Sequence, residues 1–153
     1  MKLLVSFIVS ISTAVIVFMV AKNQTQPKHL GIDQGHLAEL PSSPNAVSSQ
    51  TSIDDKRVDP LPFIGEKEES MAAIKYILAD YDNAEIKDEK NDYLHVVFTS
   101  PTLKFKDDVE FYFDEQHQRV DYRSSSRVGY SDMGVNQKRY EEIKEAYLKR
   151  KPS

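Results

Sequence analysis

Apolar residues recur at different spacings along this chain, and each spacing predicts a different element. From Leu3 to Ala21 the run LLVSFIVSISTAVIVFMVA contains no charge. As a helix rising about 1.5 Å per residue it reaches about 28 Å, close to the thickness of a bilayer's hydrocarbon core. The hydroxyls of Ser6, Ser10, Ser12 and Thr13 can bond back to the preceding turn and are tolerated in such a span. Residues 1–22 are therefore expected to be a transmembrane anchor or a signal peptide. The length of the run and the bulky Met19 just ahead of Ala21 favour an anchor that is kept. Lys2 flanks one end and Lys22 and Lys28 the other, so the positive-inside bias is slight. The N-terminus is read as cytoplasmic and the rest as lying on the non-cytoplasmic side, in a bacterial envelope.

Over 23–62 the periodicity dissolves into polar residues broken by Pro27, Pro41, Pro44, Pro60 and Pro62 and by clustered serines, which argues against regular helix. Leu37, Leu40, Val47, Val58 and Leu61 are too apolar for a free tether, so the second half of this extended segment is expected to pack on the domain that occupies 63–150. There, Met71, Ile74, Leu78 and Tyr81 fall at helical spacing behind Glu66, Glu68 and Glu69, acids favoured at a helix start. Ala84–Glu89 predicts a strand with Ile86 inward. Tyr93–Thr99 alternates, with Leu94, Val96 and Phe98 on the core face. Period two returns at Leu103 and Phe105, then at Val109, Phe111 and Phe113, and at Val120 and Tyr122, which leaves Arg119, Asp121 and Arg123 outside. A last helix is predicted over about Gln137–Lys149, with Asn136 as its cap, Tyr140, Ile143 and Tyr147 inward, and a Glu145–Lys149 pair. The fold class is α+β: a membrane helix, then an antiparallel sheet of four or five strands flanked by two helices.

Composition narrows the chemistry. The chain has 153 residues, 20 Lys and Arg against 24 Asp and Glu, and a formal charge of −4, so nucleic acid is a poor partner. No cysteine occurs, which excludes disulfides, thiolate metal sites, cysteine nucleophiles and acylation of a lipoprotein cysteine. His29, Asp33 and His36 match no metal-ligand spacing and read as loop residues. Asp54-Asp55 and Asp107-Asp108 read as solvated loops. No G-x-S-x-G is present. No metal or other cofactor is expected.

One segment stands apart, DYRSSSRVGYSDMGVNQKR over Asp121–Arg139. Arginine forks, hydroxyls, glycine-freed amides and a helix N-terminus are the parts of an anion site. Arg123, Ser124, Ser126, Arg127, Tyr130, Asp132, Asn136 and Arg139 are its candidate ligand-binding residues. The alternative is a folding clasp in which an aspartate pairs with an arginine and Asn136 only caps the helix.

SPN-x-VSS at Ser43–Ser49 and SRVG-x-SD-x-GVN at Ser126–Asn136 together resemble the domain of unknown function 1499 family, over about Gly31–Leu148. The resemblance implies a small envelope protein and assigns no biochemistry. It also implies a pair of cysteines at the positions of Leu40 and Ala46, bonded to one another in relatives and replaced here by apolar packing. The arginines, Ser124, Ser126, Asp132, Gly134 and Asn136 match the family pattern.

The leading expectation is a non-enzymatic, membrane-associated envelope domain held by residues 3–21. It binds a small anionic or amphiphilic ligand, or a protein partner, through Arg123–Asn136. A hydrolase-type enzyme using the same segment and a scaffold without ligand are the alternatives. A binding site requires a concavity where the two motifs meet, and an enzyme also requires a base beside a nucleophile.

Overall fold

The computed structural model describes the backbone of residues 2–150 and the side chains of residues 12–150. The uncharged N-terminal run forms α1, Lys2–Gln24. Every side chain from Ser12 to Lys22 is exposed, so this stretch lays no buried face on the domain. Among the described residues no helix is long and apolar enough to cross a membrane. The side chains of residues 3–11, the first half of the expected anchor, lie outside the described residues.

Five further elements come from the Pro/Ser-rich segment: β1 (Ile32–Asp33), β2 (His36–Leu37), β3 (Ala46–Ser48), a 3-10 turn at Asp54–Lys56, and β4 (Leu61–Pro62). β1 and β2 form a small hairpin, turned by Gln34 and Gly35, both at positive φ, as a two-residue hairpin turn requires. α2 (Lys67–Leu78) is followed by β5 (Ala84–Lys90), β6 (Tyr93–Thr99), β7 (Lys106–Asp114), β8 (Arg119–Ser126) and α3 (Val135–Leu148).

The sheet has six strands rather than four or five, ordered β3-β8-β7-β6-β5, with β4 also on β8. β3 pairs with Arg123–Ser125 and β4 with Arg119–Val120, so two short strands share one edge of β8. Strands this short carry no usable period, which is why the alternation did not reveal them. At the opposite edge β5 bears Glu85, Lys87, Asp88 and Lys90, and Ile86 is exposed rather than inward. A charged edge of this kind resists pairing with another chain.

α2 and α3 cover one face of the sheet. Ile74, Ile77 and Leu78 from α2 and Tyr140, Ile143 and Tyr147 from α3 close over Leu94, Val96, Phe98, Val109, Phe111, Phe113 and Tyr122. α2 starts in a capping box in which the Glu69 carboxylate accepts the Glu66 N–H at 2.8 Å. Gly65 before it has φ 73°, a conformation that disfavours any side chain there. Glu145 and Lys149 form the i,i+4 pair anticipated for α3. α3 begins earlier than its sequence suggests, at Val135, so Asn136 does not cap it. Asp132 serves instead, accepting the N–H groups of Gly134 and Asn136 at 3.1 and 2.8 Å.

Candidate functional site

The second face of the sheet is the unexpected one. By alternation β6, β7 and β8 turn Tyr93 and His95, Asp108 and Glu110, and Asp121, Arg123 and Ser125 away from the helices. These groups are buried all the same, because Asn23, His29, Gly31 and Gln50 of the upstream segment bond to Arg127, Arg123, Glu110 and Asp121. Asp121 and Arg123 are each only 1% exposed, which corrects the expectation that they lie outside. Asp107 and Asp108 are likewise buried in β7 rather than solvated in a loop.

Cross-strand register organises these charges. Glu110 stands opposite both His95 and Arg123. It accepts from Arg123 Nη1 at 2.8 Å, from the Tyr93 hydroxyl at 2.7 Å and from the Gly31 N–H at 2.8 Å. Burial, followed by the Glu110 charge, pushes the Tyr93 phenol far above its ordinary value. Arg127 grips Asp108 bidentately, at 2.8 Å from Nε and 2.7 Å from Nη2, and donates from Nη1 to the Asn23 carbonyl at 3.2 Å. His95 Nε2 lies 2.8 Å from the same carboxylate. Burial alone would raise the Asp108 carboxyl, but hydrogen bonds from Arg127 and His95 outweigh it and hold the group below the ordinary carboxylate range. Arg123 Nε and His95 Nδ1 are buried without a hydrogen-bond partner, and the Arg123 Nη2 to His29 Nε2 contact is long at 3.4 Å.

Over this network lies a cleft of about 640 Å³ between the end of α1, the 26–30 and 38–41 stretches and the ends of β7 and β8. Its surface is mostly apolar, with Pro27, Leu30, Leu40 and Pro41 among its walls. Lys22, Lys28, Arg123 and Arg127 line it, against the carboxylates of Glu39 and Asp108. Two of these cations are already ion-paired, Arg123 with Glu110 and Arg127 with Asp108, which leaves Lys22 and Lys28 against Glu39 at the cleft of a chain whose net charge is −4.

The two sequence motifs do meet. Asn45 Nδ2 donates to the Gly129 carbonyl at 2.8 Å, and the Asn45 carbonyl accepts from the Ser126 N–H and Asn136 Nδ2, each at 3.0 Å. Ser49 donates to Asp121 at 2.7 Å and accepts the Tyr122 N–H at 2.9 Å. Yet strand alternation divides the candidate residues. Arg123 and Arg127 face the cleft with Ser125, which sequence reasoning passed over. Ser124, Asn136 and Arg139 lie on the helix side, where Ser124 bonds to Asn136 and Arg139 donates to Asn136 at 2.8 Å and to Asp107 at 2.6 Å. Ser126 reaches both, lining the cleft and accepting from Asn136 Nδ2 at 3.1 Å. Asp132 caps α3, and Tyr130 is 77% exposed.

Asn23, Lys22, Lys28 and the buried Tyr93, His95, Asp108 and Glu110 were missed from sequence. Matched charges on facing strands were the available signal, since Asp108 and Glu110 interrupt the apolar residues of β7 as Asp121 and Arg123 do those of β8. Among the described residues no group of three His, Asp or Glu side chains is placed to hold a metal ion.

Compared with known families, residues 36–147 match the one described as "Protein of unknown function (DUF1499)". No curated protein matches the chain.

Proposed function

The chain belongs to the DUF1499 family, and from that premise we propose that it is a non-enzymatic binding domain, tethered to a membrane by α1, whose cleft takes a small anionic amphiphile. The observation that carries this reading is the cleft itself: apolar walls with an excess of cations in an otherwise acidic protein. Apolar walls suit an alkyl chain, and a few convergent cations orient an anionic head. The tether is supported by the uncharged run Leu3–Ala21 and by the exposure of Val15, Ile16, Val17, Phe18 and Val20 in α1.

The enzyme reading has less support. His95 and Asp108 form a base-and-orienter pair, but His95 Nδ1 meets no hydroxyl among the described residues. Nucleophilic catalysis needs that contact.

Calorimetric titration of the full chain with octyl phosphate and with octanol tests the proposal. Saturable octyl phosphate binding is expected, weakened about tenfold in the Lys22→Gln, Lys28→Gln double variant, which corresponds to about 1.4 kcal/mol. Equal affinity for octanol, or no response to the double variant, would refute it.

A further inference from the structure

We propose that the tip of the β6–β7 hairpin, residues 100–105, is a second point of contact with an anionic bilayer, beside the place where α1 leaves the domain. This rests on the reading of α1 as a membrane segment. The last turn of α1 is fastened to the tip. Asn23, only 6% exposed, donates from Nδ2 to the Lys104 carbonyl at 2.8 Å and accepts the Lys106 N–H at 2.9 Å. Lys106 Nζ then donates to Gln24 Oε1 at 2.7 Å. Helix and hairpin are thus held in one fixed relation.

Beside that joint the tip exposes two large apolar side chains, Leu103 at 66% and Phe105 at 39%; their alternation predicts a strand, but β7 begins only at Lys106 and both lie in the turn before it. Lys104 between them is held at φ 56°. The stretch Ser100–Lys106 carries two lysines and no carboxylate, although acids outnumber bases in the whole chain. Apolar side chains alternating with lysine suit a surface whose interior is hydrocarbon and whose headgroups are anionic.

The distances agree. Ala21, where the uncharged run ends, precedes Asn23 by two residues, or about 3 Å along a helix axis. Apolar side chains of interfacial segments sit about 5–10 Å into the headgroup and acyl boundary, so Leu103 is within reach of it. The loop after β8 leaves the same end of the sheet, since Asp107 pairs with Ser126, and it too exposes apolar groups, Tyr130 and Met133.

The chain has no tryptophan, so one introduced tryptophan is a clean depth probe. Full-length Phe18→Trp, Leu103→Trp and Gln116→Trp variants would be reconstituted into phosphatidylcholine and phosphatidylglycerol vesicles with brominated acyl chains. Leu103 is mostly exposed, so its replacement leaves the fold intact, and Gln116 lies in the turn at the far end of β7. The expected result is quenching at positions 18 and 103, about twofold or more at 103, with none at 116. Quenching at 18 with positions 103 and 116 alike overturns the hairpin contact and leaves the tether standing. No quenching at 18 or 103 overturns both. Quenching at 103 without 18 refutes the tether and, with it, the hairpin as a second contact beside α1.

Discussion

Arg127 and Asp108 form a bidentate ion pair between two buried side chains, 5% and 2% exposed. Neither charge has much access to water, so the value of the pair depends on both partners being present. Arg127→Ala leaves the Asp108 carboxylate with His95 as its remaining side-chain partner and should cost about 3–5 kcal/mol, measured by urea unfolding. The same pair makes stability depend on pH. Asp108 has a folded-state value below its unfolded one, so its contribution is present above the unfolded value of about 3.9 and is lost as pH falls through the folded value. Unfolding free energy should fall with acid over that range, and the fall should be shallower in Asp108→Asn.

Asn136 and Tyr130 separate the two roles that one segment suggested. Asn136 is fully buried, and its side chain bonds to Ser124, Ser126, Asp132 and the Asn45 carbonyl. Asn136→Ala should destabilise by about 2–3 kcal/mol, because removing it leaves buried partners unsatisfied. Tyr130→Ala, at an exposed site, should change stability by no more than about 0.5 kcal/mol. Paired melting curves check both, and comparable losses would show that Asn136 is not a clasp.

Lys56 is buried and donates from Nζ to the carbonyls of Pro41, Ser42 and Ser43, at 2.6, 3.0 and 2.9 Å. One ammonium thus organises the turn between Leu40 and Ala46, the positions at which the family resemblance implies a cysteine pair. Lys56→Met should cost about 1–3 kcal/mol and speed amide exchange at Asn45, whose N–H is bonded to the Ser43 carbonyl. Unchanged exchange would show that the turn holds its shape without the lysine.

α2, α3 and β6–β8 were legible because each has an amphipathic period over two or more turns of pattern, and α1 because its run is uncharged. Tyr93–Thr99 was bounded to the residue, and Tyr140, Ile143 and Tyr147 mark the buried stripe of α3. β3 and β4 were not legible, since strands of three and two residues owe their form to the β8 edge and not to local preference. The site was half legible. Arginines and serines of one segment were picked out, but whether a β8 residue faces the cleft or the helices is decided by register. What buries Arg123 and Asp121 comes from far upstream, at His29–Gln50, where no periodic pattern announces a cover.

The pairing of β3 and β4 with β8 has a consequence for the order of assembly. Ala46 finds its partner at Ser125 and Leu61 at Val120, so stretches made early in synthesis have no place to settle until β8 has emerged. Closing such long loops is slow. A nascent chain should therefore stay open until nearly all of it is available, and its folding should begin in the β5–β8 meander and finish with its N-terminal half.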